Sequence, residues 1–391
     1  MGFNMNFEYH VPPSIIYGKG SRFKAAEHCS ALSLKNLFIV SDKYLEQAGL
    51  VAGITDCLEA AGLGYAVFTD IPGEPTTTDV ENALDALKRN KCDGILSIGG
   101  GSALDTAKSV AVMATNPGTI SDYMGYHKVK TASLPLIAIP TTAGTGSEVT
   151  RVVVITDAGR DVKMMCLDNA FMADIAIVDY ELSMTMPESL TAFVGMDALT
   201  HAIEAYVSAK ANPVSDMFAL LGMELISANI LAAYNEPENE AARESMMIGA
   251  NYAGIAFSNA SVCTVHGMSR PIGAYFHIAH GLSNAMLLPI VTQHSIDGNI
   301  SRYAAVARHM GCNLNLSDKE LAKTVVDKLR EFNTQLQIPN LFEYGVEKDE
   351  YDRTIADMVT EAIASGSPGN NPKVFTPEEL ADIYSIAYTY K

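Results

Sequence analysis

Nine histidines occur in this chain of 391 residues, and His266, His277 and His280 fall inside one stretch, HGMSRPIGAYFHIAHG (266–281), together with Arg270. Imidazoles at that density suit a metal site or a proton relay. Upstream, GMDALTHAIEAY (195–206) sets Asp197 and His201 four residues apart in a helical pattern, so both leave one helix face. Alone, such a pair is equally a surface contact. His266 and His280 add weight, because Pro271, Gly273 and Gly281 mark a helix end, a turn and a second helix that would let the two rings converge. Asp197, His201, His266 and His280 then make one carboxylate and three imidazoles. That set suits a divalent first-row metal with a position left open for substrate. His277 reads as a neighbour of such a centre, a cleft-lining residue or a core histidine. Arg270 reads as a salt-bridge partner for one of many acidic residues, or as a guanidinium for an anionic substrate tail.

Two glycine-bearing loops point to a second ligand. Gly99, Gly100, Gly101 and Ser102 follow the apolar run DGILSI and open the helical pattern SALDTAKSVAVMAT. Glycines let a ligand approach the backbone, and a helix N-terminus presents free N–H groups at the positive end of its dipole. Ser102 with Asp105 fits an S-x-x-D capping pattern. The loop PTTAGTGSEVT (140–150) offers the Thr141, Thr142 and Thr145 hydroxyls at the end of the next buried strand, where parallel sheets collect ligands. Each loop also reads as a plain turn. Neither matches G-x-G-x-x-G or the Walker pattern, so a diphosphate ligand is supported without its identity. Asp42 ends LFIVSD, where a carboxylate receives a ribose diol or simply caps the next helix.

These residues need a scaffold, and the chain changes pattern halfway. Residues 1–185 alternate apolar strands (37–42, 65–70, 93–101, the start of 134–148, 175–180) with helical segments (44–62, 80–90, 102–115). VVVIT and KMMCLD form a predicted hairpin around DAGRD. This rhythm predicts a mainly parallel sheet flanked by helices. Residues 186–391 show helical spacing and no expected strand. No Gly/Ser linker separates the halves, so firm packing around a cleft is expected. FNMNFEYHVPPSIIYG (3–18) reads as strands.

Composition excludes several classes. Forty-five acidic against 27 basic residues give a net charge of −18, which repels phosphate backbones and argues against nucleic acid. No apolar run approaches ~18 residues and the N-terminus lacks a signal pattern, so a cytoplasmic protein without a membrane partner is expected. The six cysteines are scattered without a CxxC pair, which fits reduced, structural cysteine.

SIGGGSALDTAK (97–108), IPTTAGTGSEVT (139–150), GMDALTHAIEAY and the 266–289 stretch, in that order, resemble the iron-containing (group III) alcohol dehydrogenases. That family includes lactaldehyde reductase and 1,3-propanediol dehydrogenase. The resemblance covers nearly the whole chain. It implies a dehydroquinate synthase-like fold: an α/β N-terminal Rossmann-like nucleotide-binding domain (1–185) plus an all-helical C-terminal metal domain (186–391). It implies Fe2+, with Zn2+ as the other candidate, on Asp197, His201, His266 and His280. It implies NAD, with Gly99, Gly100, Gly101, Ser102 and Asp105 at the pyrophosphate. Thr141, Thr142, Thr145 and Thr150 match the second nucleotide loop. Lys163 matches a lysine that reaches the cofactor ribose, and Asp42 a carboxylate that favours NAD over NADP. A homodimer or larger homo-oligomer is implied as well, with the strands of 3–18 expected to pair across such a dimer. The chain departs from the pattern at Arg270, where relatives carry a histidine, at Ala279 before the last ligand, and at Glu74, near where an asparagine faces adenine.

The expected reaction is metal-assisted hydride transfer between a small primary alcohol and NAD, with His277 as candidate proton carrier. Arg270 would extend the range to a semialdehyde or sulfonated aldehyde. A sugar-phosphate cyclase, a lyase of the same fold, needs a basic patch for its phosphate, and 195–285 holds no Lys/Arg cluster. A glycerol dehydrogenase would differ in motif wording. A non-enzymatic metal protein has no use for a dinucleotide loop pair beside an open metal site.

Overall fold

The apolar runs of the first half form strands because β-branched and aromatic residues fill both faces of a pleat. The computed structural model describes residues 6–160, 162–312 and 315–391. Its strands are β1 (Ser14–Tyr17), β2 (Asn36–Val40), β3 (Gly64–Phe68), β4 (Gly94–Gly99), β5 (Gly125–Tyr126), β6 (Leu136–Pro140), β7 (Val152–Asp157), β8 (Val162–Leu167) and β9 (Ile175–Val178). Six of them make one parallel sheet in the order β1-β9-β6-β4-β2-β3. Leu37, Ile39, Leu96, Ile98, Ile137 and Ile139 bury on one face. Phe38, Val40, Ile95 and Ala138 bury on the other, as strand alternation requires. β7 and β8 form the expected antiparallel hairpin, with β5 beside β8. Asp161 in its turn, and residues 3–5 of the stretch read as dimer strands, lie outside the described residues. Ser14–Tyr17 of that stretch pairs within its own chain, on β9.

The helices that cover this sheet are α1 (Ala25–Ala31), α2 (Lys43–Gln47), α3 (Leu50–Ala60), α4 (Thr77–Asn90) and α5 (Gly101–Met113). The single helix expected over 44–62 breaks between α2 and α3, because Gly49 takes φ +77°, a left-handed conformation that ends a helical run.

Strand register brings the nucleotide loops together. Gly99 of β4 pairs with Pro140 of β6, so the glycine loop and the threonine loop leave the same sheet end side by side. A fully buried lysine binds the arrangement from behind. Lys108 of α5 donates to Ser147 Oγ (2.9 Å), Thr150 Oγ1 (3.0 Å) and the Val152 carbonyl (3.1 Å). Burial pushes its ammonium down to about 8, against the pull of Asp105 and Glu148.

The second half is helical: α6 (Glu188–Val207), α7 (Pro213–Asn235), α8 (Glu240–Ala260), α9 (Thr264–Phe276), α10 (His280–Ser295), α11 (Ile300–His309), α12 (Asp318–Gln335), α13 (Leu341–Tyr344), α14 (Lys348–Ala364) and α15 (Pro377–Ala387). No strand follows β9 among the described residues. The chain resolves into two units, His10–Thr185 and Met186–Lys391, the latter with the N-terminal residues through Tyr9. Tyr9 stacks on Phe218, ring centroids 6.4 Å apart. One helix, α7, is long and apolar enough to cross a membrane by length and composition, although Asp216 and Glu224 interrupt its apolar residues; it packs along α6 and α8. Gly222 and Gly249 let α7 and α8 approach, since a Cβ on Gly249 would stand 2.8 Å from Ile226 Cγ1.

A Cβ on Gly99 would lie 2.6 Å from Ala103 Cβ, whereas one on Gly73 meets nothing within 4 Å. Gly99→Ala should therefore lower stability by about 1–3 kcal/mol and Gly73→Ala by less than about 0.5 kcal/mol. Urea unfolding measures both; equal midpoints would contradict the close-packed turn.

Candidate metal centre and nucleotide loops

Three helices deliver the four expected ligands. Asp197 and His201 leave α6 one turn apart, His266 stands in the first turn of α9, and His280 opens α10. Pro271 does not end its helix as its position suggested. It lies inside α9, which runs on to Phe276. The turn that follows begins at His277, held at φ +52°. Glycine seats both later histidines. A Cβ on Gly281 would stand 2.5 Å from the Phe193 carbonyl and 3.3 Å from Asp197 Cβ, so α10 reaches α6 only with glycine there. A Cβ on Gly267 would stand 2.7 Å from Pro368.

The donor atoms converge. One atom each of Asp197, His201 and His266 lies within 4.8 Å of the others. His266 Nε2 is 3.6 Å from Asp197 Oδ1, and His280 Nε2 is 3.9 Å from the same oxygen. Asp197, His201 and His266 are 3–5% exposed, while the His280 side chain is 36% exposed, so the centre opens at His280. Phe257 stacks on the His201 ring at 4.2 Å.

The chemistry of this set fits a divalent cation. Asn284 Nδ2 stands 2.6 Å from Asp197 Oδ1 and 3.2 Å from both His266 Nε2 and His280 Nε2. That amide therefore meets one carboxylate oxygen and two imidazole nitrogens, and its own Oδ1 is buried without a hydrogen-bond partner. A carboxylate and imidazole nitrogens grouped around one point are a donor set that a divalent cation binds. Burial would raise the Asp197 carboxyl, but the charges of His201 and His280 and the hydrogen bond from His266 outweigh it and hold it well below the usual range. Burial would lower His266; its bonds to Asp197 and Glu204 prevail and raise it.

The remaining expected residues divide by position. Arg270 is half-buried one turn beyond His266, and the His277 ring is exposed. Asp42, Gly100, Gly101 and Ser102 line one cavity of about 780 Å³ with Asp70 and Asp79. Asp42 also caps α2, accepting from the Leu45 N–H at 2.9 Å. The S-x-x-D cap does not form. Gly100 is the N-cap of α5 with no side-chain cap, which leaves the first N–H groups to a ligand. Asp105 turns instead to Ser147 Oγ (2.6 Å) and the Val154 N–H (2.8 Å). Thr142 and Thr145 lie against Gly100 and Gly101, where a Cβ would meet them at 3.4 and 3.0 Å. Thr141 and Thr150 are buried, the latter under Lys108. Lys163 pairs with Glu74 at 2.8 Å.

Glu204, Asn284 and Lys108 were not singled out in the sequence. Glu204 carried a signal, since it continues the Asp197–His201 face of α6. Asn284 follows His280 by one turn, and Lys108 interrupts an apolar helix.

Residues 12–180 match the family described as iron-containing alcohol dehydrogenase, and 191–388 match its C-terminal region, described as Fe-containing alcohol dehydrogenase family. The chain is 36% identical to the NAD-dependent methanol dehydrogenase of Bacillus methanolicus, over 97% of this chain and 99% of that one. It is 34% identical to the 1,3-propanediol dehydrogenase of Citrobacter freundii, over 99% and 100%. Its fold is similar to a solved 1,3-propanediol oxidoreductase, with TM-score 0.95 and 34% identity over 98% and 100%. It is also similar to sulfoacetaldehyde reductase from Bifidobacterium kashiwanohense in complex with NAD+, with TM-score 0.88 and 29% identity over 99% and 100%. A parallel nucleotide sheet, a helical unit with a buried Asp/His centre and these matches over nearly its full length agree: the chain belongs to the iron-containing alcohol dehydrogenases, oxidoreductases of alcohols and aldehydes.

Proposed function

We propose that the protein is an NAD(H)-dependent, iron-dependent enzyme interconverting a small primary alcohol and its aldehyde. The observation that carries this is the grouping of one donor atom each of Asp197, His201 and His266 within 4.8 Å, with His280 Nε2 3.9 Å from Asp197 Oδ1 on the exposed side. These four residues would hold the ion, which when bound supplies a Lewis acid that lowers an alcohol's pKa or polarises a carbonyl. The family favours Fe2+; the same donors accept Zn2+.

NAD would supply the hydride acceptor. Gly99, Gly100 and Gly101 give its pyrophosphate close backbone approach, Ser102 and the α5 N-terminus give N–H donors, and Thr142 and Thr145 give hydroxyls. Asp105, Thr141 and Thr150 hold those two loops in register. Asp42 accepts a ribose diol and, with Asp70 and Asp79 on the same wall, repels a 2′-phosphate. Lys163 is the ribose contact on the hairpin. The exposed His277 imidazole exchanges the hydroxyl proton with water. A second reading rests on Arg270, one turn from His266 on the same face of α9: an aldehyde with an anionic tail, in line with the sulfoacetaldehyde reductase among the relatives. The proposal includes a homo-oligomer in the cytoplasm with small-molecule partners.

An NADH and NADPH assay with neutral and anionic aldehydes tests this reading. NADH should be oxidised in preference to NADPH, and Asp42→Ser should raise kcat/KM for NADPH about tenfold, about 1.4 kcal/mol. Highest kcat/KM on neutral aldehydes supports the first reading, and on anionic ones the second. No aldehyde-dependent oxidation of either cofactor would contradict both. Metal affinity supplies a pH test. Because His266 keeps its proton above the usual histidine range, a metal must displace that proton. Zn2+ affinity, read by chelator competition, should rise by about tenfold per pH unit per displaced proton on moving up from pH 6. A flat profile would count against His266 as a ligand.

A further inference from the structure

Glu204 lies on α6 beyond Asp197 and His201 and is 2% exposed. Its carboxylate accepts two backbone hydrogen bonds and meets one imidazole nitrogen, all from the start of α9. Oε2 takes the Cys263 N–H at 2.9 Å and lies 2.7 Å from His266 Nδ1, and Oε1 takes the Val265 N–H at 2.6 Å. Cys263, the N-cap of α9, offers no side-chain cap, so a carboxylate from another helix does that work.

The same geometry decides where His266 carries its hydrogen. An ionised carboxylate only accepts, so Nδ1 must be the N–H. A neutral imidazole has one N–H, which leaves a lone pair on Nε2, the nitrogen 3.6 Å from Asp197 Oδ1. We propose that Glu204 is a positioning residue of the metal centre: one buried carboxylate anchors α9 and holds His266 in the tautomer whose Nε2 can bind a metal. This rests on the reading that Asp197, His201, His266 and His280 hold a cation.

Glutamine cannot replace it. Three donors converge on two oxygens, and an amide supplies one oxygen and one NH2 group. If the NH2 takes the Oε2 place, it faces the Cys263 N–H and the Nδ1 of His266, and the ring hydrogen moves to Nε2. If it takes the Oε1 place, it opposes the Val265 N–H. Carboxylates that hydrogen-bond ligand histidines tune metal affinity by about 10–100-fold.

The test uses the full-length protein. Histidine-selective 15N NMR of metal-stripped wild type at pH 9, with His266 assigned through His266→Gln, should show the hydrogen on Nδ1. Finding it on Nε2 overturns the proposal without needing any variant. Glu204→Gln should shift His266 toward the Nε2–H form and weaken Co2+ binding by about 10–100-fold in chelator competition. If the variant melts lower but keeps the wild-type tautomer and binds Co2+ within about twofold of wild type, Glu204 only caps α9 and the proposal falls. If wild type itself binds no Co2+, the metal reading fails, while the tautomer experiment still reports on Glu204 by itself.

Discussion

Asp197 is an ionised carboxylate with almost no access to water, and it must be neutralised where it stands. Water cannot do so, and among the described residues no lysine or arginine side chain pairs with it. Three imidazoles and the Asn284 amide surround it instead. A divalent cation is the economical solution. Much of the helical unit follows from that demand. α6 carries the carboxylate, and α9 and α10 each bring one histidine in; Gly281 lets α10 approach α6, and Gly267 lets α9 pack on Pro368. Glu204 then gives α9 its N-terminal partner and His266 its orientation in one contact.

The α/β unit meets the different demand that the proposed dinucleotide would set. A diphosphate needs backbone N–H groups that nothing else uses. The Gly99–Gly100–Gly101 turn provides them at an uncapped helix start. Such a turn is loose unless it is packed, and the packing comes from Ala103 beneath it and Thr142 and Thr145 beside it. Lys108 and Asp105 sit behind the two loops. Together they bond Ser147, Thr150, Val152 and Val154, so one helix fixes the position of the second loop and of β7. Asp42, Asp70 and Asp79 line the adjoining cavity, with Lys43 paired to Asp70.

Much of this was legible in the sequence because two periodicities carried it. Runs such as LFIV and LIAIP are apolar at every position, which reads as strands buried on both faces, and so they are. The i, i+4 pair Asp197–His201, and His266 and His280 on either side of the Pro271, Gly273 and Gly281 punctuation, gave the candidate donor set, since a helix face and a turn are both written in local spacing. What stayed hidden depends on long-range partners. Asp105 looked like a cap for Ser102, and only the fold shows Ser147 and the Val154 N–H reaching it. Pro271 looked like a helix end, yet tertiary packing carries α9 past it. Gly49 splits a helix that composition alone would run straight through. Glu204 was readable as a third polar residue on the metal face of α6. Its partners, 59 to 62 residues away in the chain, were not.

The account stands on the Asp/His centre holding a metal that the reaction requires. The most direct measurement is metal content against turnover in one preparation, made anaerobically, then stripped by chelator and reloaded with Fe2+. The account predicts about one ion per chain, aldehyde-dependent NADH oxidation that falls to background on stripping, and recovery in proportion to Fe2+ restored. Full turnover in protein holding less than about a tenth of an equivalent of any divalent metal would contradict it.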